Sequence, residues 1–288
     1  MELNKILLLL ISLFSFSLST YPILVIHGIG NYCTKEDTSY TINKLSSSLN
    51  TTVECIEIGN GFFSSWFQNF ESQAEELCSK IKIHPKFQDK FSIMGISQGT
   101  LLGRYLIQKC DIKGKIINYL SFDGPQQGIG YIPKLTCGKF CDWINYLTVD
   151  LVYSLENYLS PSSYYKYKYD IQKYYKNNKF LIDLNNEGKI KNETYKERIK
   201  NLNRIMLVKG NSDTVISPRE SSWFEFYDEK GEKIVPLNES KFYIDDFIGI
   251  RYLNENNKID FVLFSGEHVK YTEEEFQVFI NFFKNNNN

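Results

Sequence analysis

The chain has 288 residues, of which 42% are hydrophobic and 15% aromatic, so it is long and apolar enough for one large domain with a sizeable core. Its 33 basic and 34 acidic residues give a formal net charge of −1 and form no long block of one sign. This balance argues against nucleic acid or an anionic membrane surface as a partner. We expect one domain, over residues 21–284, with insertions.

The first 20 residues have the three-part layout of a secretory signal peptide. Lys5 precedes an uncharged run from Ile6 to Leu18, and small residues follow, with cleavage expected near Ser19 or Thr20. A membrane anchor is the alternative, but about 15 uncharged residues fall short of the roughly 20 that a spanning helix needs. Since the chain has no other long apolar run, we predict a soluble protein without stable membrane insertion, in a lysosome-like compartment or secreted.

Short β-rich runs alternate with amphipathic patterns through the first 122 residues. This alternation is typical of a mostly parallel, doubly wound α/β sheet. The predicted strands cover 22–27, 52–58, 91–95 and 115–122, and the predicted helices cover about 64–82 and 98–110.

The alternation stops over about 125–203, where the patterns are helical. We favour a cap that forms a substrate pocket over a second packing layer, because the segment supplies aromatic lining. Its Tyr- and Lys-rich part, Tyr164 to Lys179, is interpreted as a solvated helical face rather than a stacking surface for nucleic acid. Strands are then predicted at 204–208 and 260–264, a final helix at about 272–283, and a disordered tail at 285–288.

A Gly-x-Ser-x-Gly pentapeptide, Gly95 to Gly99, lies between an apolar run and an amphipathic run. That is how a strand, a sharp turn and a helix present a serine nucleophile, here Ser97. Gly95 and Gly99 have no Cβ to collide as the helix and the strand approach each other. About one chain in ten of this length would match the pattern by accident, so the assignment depends on partners elsewhere.

A serine hydroxyl needs a base to take its proton, and in this architecture the chain order is Ser, acid, His. His27 and His84 both precede Ser97, which leaves His268 as the candidate base. His268 also follows a late predicted strand.

Two aspartates, Asp213 and Asp123, each follow a predicted strand and are candidates for the acid. Asp213 is favoured because it follows the next-to-last core strand, and its role would be to orient the His268 imidazole. The alternative for either aspartate is an Asx turn or a helix cap.

The oxyanion formed during attack needs backbone donors. The N–H of Gln98, directly after the nucleophile, is the first candidate, and the N–H of Ile29, in the loop His27 to Gly30, is the second. We interpret His27 as structural.

Six cysteines in a chain that enters an oxidising compartment predict disulfides, with 15 pairings open. Cys137 and Cys141 are close enough in sequence to close a small loop. A zinc site is disfavoured, because no second Cys or His pair has ligand spacing, and we expect no metal and no cofactor. Sequons at Asn50, Asn192 and Asn238 are candidate glycosylation sites.

Several stretches beyond the pentapeptide make the chain resemble the palmitoyl-protein thioesterases, lysosomal α/β-hydrolases that remove fatty acyl groups from cysteine. The likeness covers about Tyr21 to Phe283, and the cysteine pattern is similar to that of the type 1 branch. The stretches that carry it are His27-Gly28-Ile29-Gly30, Gly95-Ile96-Ser97-Gln98-Gly99, Gln126-Gln127-Gly128, Phe180-Leu181-Ile182-Asp183-Leu184-Asn185 and Ser222-Trp223-Phe224-Glu225-Phe226-Tyr227.

The resemblance implies catalytic roles for Ser97, Asp213 and His268 and the disulfides Cys78–Cys110 and Cys137–Cys141, and it implies S-acylated proteins or peptides as substrates and palmitate as product. The chain departs from the type 1 pattern in having one cysteine after the first loop, so Cys55 remains as the candidate partner of Cys33. It also has Ile26 for a family Trp and lacks the Trp-His-Asp-Pro of the family cap.

Two other functions fit the same residues. One is a secreted lipase or carboxylesterase, because the same machinery cleaves oxygen esters. The other is a non-catalytic lipid-binding protein that keeps the fold without turnover.

Overall fold

The computed structural model describes residues 21–131 and 149–284. Its centre is a six-stranded sheet in the order β2-β1-β3-β4-β5-β8, in which every neighbouring pair is parallel. A separate antiparallel pair is formed by β6 and β7. The strands are Ile23–Ile26 (β1), Val53–Cys55 (β2), Lys90–Ile96 (β3), Lys115–Phe122 (β4), Arg204–Gly210 (β5), Phe226–Tyr227 (β6), Ile234–Val235 (β7) and Ile259–Phe264 (β8).

Helices connect the strands and cover both faces of the sheet. None of the helices in the described ranges is long and apolar enough to cross a membrane. They are Glu36–Leu49 (α1), Phe62–Phe67 (α2), Phe70–Ile83 (α3), Gly99–Gln108 (α4), Val149–Ser154 (α5), Ile171–Asn177 (α6), Phe180–Leu184 (α7), Glu193–Lys200 (α8), Lys241–Ile244 (α9), Ile250–Glu255 (α10) and Glu273–Lys284 (α11).

Alternate residues of the buried strands feed two separate cores, because successive side chains in a strand point to opposite faces. Leu24 and Ile26 of β1 belong to the core that α3 and α4 cover. Ile23 and Val25 belong to the core on the other face, which α1 and α11 cover. The predicted parallel, doubly wound α/β sheet is confirmed.

One predicted element differs: the single helix expected over 64–82 is two helices, α2 and α3. The break lies at Asn69, whose side chain accepts the N–H of Ser72 at 2.9 Å and so caps α3. On the short helix α2, Trp66 is buried, whereas the next residue, Phe67, is 47% exposed.

The insertion after β4 is helical in its described part, residues 125–131 and 149–203, with α5 to α8 and an isolated bridge between Ile129 and Tyr165. The solvated face predicted for Tyr164 to Lys179 is wrong for five of its 16 residues, which are buried. Tyr164, Tyr165 and Tyr174 are buried, and Lys166 is buried with them because its ammonium contacts Glu187 at 3.3 Å and Gln127 at 2.9 Å.

A buried arginine joins the insertion to the rest of the fold. Arg104, on α4, is 1% exposed and donates to the carbonyls of Gln126 and Leu184, each at 3.0 Å, and to the Asn185 side chain at 2.9 Å. Its guanidinium also lies 5.1 Å from the centre of the Phe224 ring. Three of the stretches that carry the family resemblance therefore converge on one side chain.

Two disulfides tie early elements together in the described chain. Cys33–Cys55 links the loop after β1 to β2, and Cys78–Cys110 links α3 to the end of α4. The pairing expected for Cys137 and Cys141 lies outside the described residues.

Candidate active site

Ser97 occupies a strained turn between β3 and α4. Its φ is +53°, in the left-handed region that a residue with a side chain rarely adopts. The turn is this tight because its neighbours lack side chains: a Cβ on Gly95 would lie 2.5 Å from the Thr100 Cα, and one on Gly99 would lie 2.3 Å from the Ile26 carbonyl oxygen. The sequence therefore places the hydroxyl at the carboxyl end of a central strand, as the pentapeptide predicts.

The structure brings together the three residues that the chain order selected. His268 Nε2 is 2.9 Å from Ser97 Oγ, and His268 Nδ1 is 2.8 Å from Asp213 Oδ2. Ser97 and Asp213 are buried, and the side chain of His268 is 11% exposed. Ser97, His268 and Asp213 thus form one hydrogen-bonded row, and below we call these three residues the row. Their geometry is that of a nucleophile, a base and an orienting acid.

Parallel pairing of β3, β4, β5 and β8 explains why residues 171 positions apart meet. Asp213 follows β5 and His268 follows β8, so both lie at the same edge of the sheet as Ser97. The two loops also bond to each other, since the N–H of Ser212 donates to the Gly266 carbonyl at 3.0 Å.

The Asp213 carboxylate is itself held by backbone donors. Its Oδ1 accepts the N–H of Val215 at 2.7 Å and the N–H of Ile216 at 3.0 Å, which leaves Oδ2 for His268. Asp213 therefore forms an Asx turn, which the sequence predicts as the alternative to an acid role. The turn and the contact to the His268 imidazole are both present.

Both predicted oxyanion donors lie beside the serine. A Cβ on Gly28, next to Ile29, would lie 2.9 Å from the Ser97 Cβ, so the glycine loop runs directly against the nucleophile. Among the described residues, no acceptor takes the backbone N–H of Ile29 or of Gln98. Within residues 21–131 and 149–284, nothing therefore blocks these two donors from meeting a ligand.

Ser65, on α2, supports both halves of this predicted oxyanion hole, and sequence reasoning missed it. Its hydroxyl accepts the N–H of Gly30 at 2.9 Å, and its carbonyl accepts the Gln98 side chain at 2.9 Å. The Gln98 side chain also accepts the hydroxyl of Tyr164, from the insertion, at 2.7 Å. Residues of α2 and of the insertion, both distant in sequence from the pentapeptide, thus hold the Gln98 side chain in place.

His27 has the structural role that the sequence predicts. Its Nε2 is 2.8 Å from Glu57 Oε1, and Glu57 Oε2 accepts the N–H of Cys33 at 2.7 Å. Burial alone would raise the pKa of Glu57, but these hydrogen bonds lower it below the ordinary value. Together with the Cys33–Cys55 disulfide, they pin the glycine loop to β2.

A second buried carboxylate, Asp123, lies next to the row. It directly follows β4, is 0% exposed, and its Oδ2 is 4.0 Å from His268 Nδ1. Burial raises its pKa to about 7, His268 opposes the rise and Asp213 adds to it. The sequence marked Asp123 only as the weaker candidate for the acid.

Two groups of metal-ligating side chains lie close together in the described chain: His27, Cys33 and Glu57, and Asp123, Asp213 and His268. Cys33 is oxidised to a disulfide, so it offers no thiolate. His268 uses both ring nitrogens in the row with Ser97 and Asp213. The donors of both groups are therefore engaged with protein partners.

A cavity of about 880 Å³ opens onto Ser97 and His268. Its described lining comes from the glycine loop, the start of α1 and the loop after His268, and it includes Tyr32, Lys35, Tyr40 and Tyr271. No described residue of 149–203 lines it, whereas the cap hypothesis expects an apolar groove beneath that segment.

The three sequon asparagines, Asn50, Asn192 and Asn238, are all exposed. Asn50 ends α1 in a left-handed conformation, and the Asn192 side chain caps α8 by accepting the N–H of Thr194 at 3.0 Å.

The sheet, the strained serine turn and the Ser-His-Asp row define an α/β hydrolase. A solved monoacylglycerol lipase from Paleococcus ferrophilus superposes with a TM-score of 0.52 at 13% identity, covering 92% of this chain and 94% of that one, and it shares the fold.

The family model for palmitoyl protein thioesterase matches residues 22–268. Palmitoyl-protein thioesterase 3 of Dictyostelium discoideum is 34% identical over 90% of this chain and 89% of its own length. Palmitoyl-protein thioesterase 1 of Caenorhabditis elegans is 29% identical over 86% of both chains, and a Drosophila melanogaster protein described as a lysosomal thioesterase homologue is 29% identical over 89% of this chain and 88% of its own. The chain belongs to the palmitoyl protein thioesterase family, which confirms the resemblance.

Proposed function

We propose that the protein is a serine thioesterase that removes long-chain fatty acyl groups, such as palmitoyl, from cysteines of lipid-modified proteins or peptides. The observation that carries the proposal is the hydrogen-bonded row from Ser97 through His268 to Asp213 in a chain of this family. The names of the relatives support the thioester substrate, and the free N–H groups of Ile29 and Gln98 support acyl transfer.

In the first half-reaction, Ser97 Oγ attacks the thioester carbonyl while His268 Nε2 takes the hydroxyl proton. The negative charge on the carbonyl oxygen is held by the N–H groups of Ile29 and Gln98. The C–S bond then breaks, the acyl group stays on Ser97, and the cysteine sulfur takes the proton from His268 Nε2 and leaves as a thiol. Because a free cysteine has a pKa near 8.5, the sulfur needs little help from the His268 proton.

In the second half-reaction, His268 activates a water that attacks the acyl-serine. The products are the free fatty acid and the original Ser97 hydroxyl, so no cofactor is consumed. Asp213 keeps the imidazole oriented and stabilises its charged form in both halves.

Burial of the acyl chain is proposed to supply most of the binding free energy. At about 0.8 kcal/mol per buried CH₂, a palmitoyl tail gives an upper bound near 11 kcal/mol. The insertion at 125–203 is proposed as the cap that covers this chain, supported by Tyr164, which reaches the side chain of Gln98. The 880 Å³ cavity beside Ser97 gives the remainder of the substrate room to reach His268.

We also propose that the protein enters the secretory pathway, with residues 1–20 as signal peptide and a lysosome-like compartment or the exterior as its destination. The two disulfides and the lysosomal relative support this route. The exposed sequons at Asn50, Asn192 and Asn238 suit glycosylation on the way.

The test compares hydrolysis of a palmitoyl-cysteine peptide with hydrolysis of p-nitrophenyl palmitate, and it measures fluorophosphonate labelling of the wild type and of Ser97→Ala. We expect efficient thioester cleavage and labelling that Ser97→Ala abolishes. A large preference for the oxygen ester would make the protein a lipase or carboxylesterase. Absence of labelling in the wild type would support a non-catalytic lipid-binding protein.

A further inference from the structure

Two carboxylates face one ring nitrogen of His268. Asp213 Oδ2 lies 2.8 Å from Nδ1 and Asp123 Oδ2 lies 4.0 Å from the same atom. One carboxylate is enough to orient the imidazole of a serine hydrolase. Asp123 is fully buried, and a buried carboxylate is costly unless something compensates it, so its presence requires a separate explanation.

The oxygens of Asp123 bond to the backbone on both sides of the row. Oδ1 accepts the N–H of Gly210 at 2.7 Å, at the end of β5 and three residues before Asp213. Oδ2 accepts the N–H of Val269 at 2.6 Å, directly after His268. The backbone N–H of Asp123 in turn donates to the Val208 carbonyl of β5 at 3.0 Å. One side chain therefore joins the loop of the acid to the loop of the base.

We propose that Asp123 is a positioning residue that clamps the Asp213 and His268 loops in register and serves as the reserve partner of His268 Nδ1 when Asp213 is removed. The inference rests on the proposed function, since it assumes that His268 is the base for Ser97. Asp123 acts through His268 and touches no reacting atom.

The charges around Asp123 make its role dependent on pH. The titratable groups that face it are His268, after β8, and Asp213, after β5. Its pKa of about 7, raised by burial, means that the carboxyl gains its charge near neutral pH. A second negative charge beside His268 stabilises the imidazolium that forms when Ser97 loses its proton. Neutralising Asp123 should therefore move the acid limb of the kcat/KM profile to lower pH.

The experiment is a double-mutant cycle of Asp123→Asn and Asp213→Asn, measured as kcat and KM over pH 5 to 9. We expect Asp123→Asn to lower kcat by about 10-fold with KM within about 3-fold, because misalignment acts on the chemical step. Asp213→Asn should lose about 10²-fold, less than the roughly 10⁴-fold that an acid without a substitute loses. The double variant should lose at least about 10-fold more than the product of the two single losses.

Asp246→Asn is the matched control for burial. Asp246 is 5% exposed, has a φ of +49° close to the +48° of Asp123, and accepts the N–H of Arg251 at 2.9 Å, but it contacts none of the three row residues. It should lower thermal stability and leave kcat and the pH profile unchanged. Asp123→Ser, which keeps an acceptor without the charge, replaces Asp123→Asn if the amide does not fold.

A double variant whose loss equals the product of the single losses, with an unmoved pH profile, would overturn the inference and make Asp123 a purely structural residue. Failure of the proposed function has a different signature. If the wild type cleaves only the oxygen ester, the substrate is wrong but the cycle is run on that ester, since His268 serves both. If Ser97→Ala stays active, the assignment of the row itself fails.

Discussion

Two buried clusters of polar side chains differ in the groups that surround their charges. One is the row with Asp123 beside it, and the other surrounds Arg104. At the row, two carboxylates and an imidazole lie within 4.0 Å, with more negative charge than a single ion pair needs. At Arg104, one guanidinium is held by neutral carbonyl and amide oxygens of Gln126, Leu184 and Asn185.

The difference reflects what each cluster does. Burial lowers the pKa of Arg104 to about 10, so it stays charged at neutral pH and satisfies five carbonyl and amide oxygens. Burial raises the pKa of Asp123 to about 7, so its charge changes near neutral pH. The constant charge of Arg104 suits a structural contact between the insertion and α4. A carboxyl such as Asp123, whose charge changes near neutral pH, suits a site where a proton is proposed to move.

The largest effect that we predict is on kcat and follows substitution of Ser97, with little effect on folding. Ser97→Ala should lower kcat by about 10⁴-fold or more while the protein remains folded, because the nucleophile contributes little to packing. Ser97→Gly should be equally inactive but about 0.5–1 kcal/mol more stable than the alanine variant, since glycine accepts a φ of +53°. Urea unfolding measures the difference, and an alanine variant as stable as the glycine variant would contradict the strain.

For Arg104 we predict the opposite combination, a loss of stability with kcat retained. Arg104→Leu removes the donor to the buried Gln126 carbonyl and to the Asn185 side-chain oxygen, while the Leu184 carbonyl keeps the Gln108 side chain, and it should cost about 3–5 kcal/mol of unfolding free energy. Arg104→Lys, which keeps the charge but has fewer donors, should cost less. The fraction that remains folded, titrated with fluorophosphonate, should keep the wild-type kcat. A lower kcat per labelled site would mean that Arg104 also affects the geometry of the row.

The pH dependence of stability tests the charge change of Asp123 directly. The folded pKa of Asp123, about 7, lies above the ordinary 3.8, so this group stabilises the protein fully below pH 4 and loses that contribution as the pH rises toward 7. The stability of the wild type relative to Asp123→Asn should therefore fall by at least about 1 kcal/mol between pH 4 and 7.5. Urea unfolding at the two pH values measures it, and a constant difference would contradict the raised pKa.

The smallest predicted effect concerns the contact between the insertion and the serine turn. Tyr164→Phe removes the hydrogen bond to Gln98 Oε1 and should cost about 1 kcal/mol of stability. It should also lower kcat several-fold, because the Gln98 backbone N–H is a proposed oxyanion donor. Tyr158→Phe is the control in the same insertion, since Tyr158 is 69% exposed. Equal effects of the two substitutions would remove Tyr164 from the site.

Sequence alone could predict the parallel sheet and the three residues of the row, because each depends on a local signal. The strands are short apolar runs, the serine lies in a short motif, and elimination by chain order left one histidine. The family was predicted from short stretches and is confirmed.

The supports of the site could not be predicted, because they are contacts between distant segments. Asp123 bonds to residues 87 and 146 positions away, Gln98 to residues 33 and 66 positions away. The split between α2 and α3 was missed for another reason: a two-residue break at Asn69 leaves the spacing of apolar residues nearly unchanged. The burial of Lys166 depended on Glu187, a partner that no periodicity reveals.

The position of His268 has a consequence for the folding of the chain. It follows β8, which among the described residues is the last strand in sequence, lies at the edge of the sheet and pairs with β5 alone. Ser97 is thus complete as a turn long before its base can reach it. A chain emerging from the ribosome would carry Ser97 without its proposed base until β8 docks, so the proposed acyl transfer would have to wait for that strand.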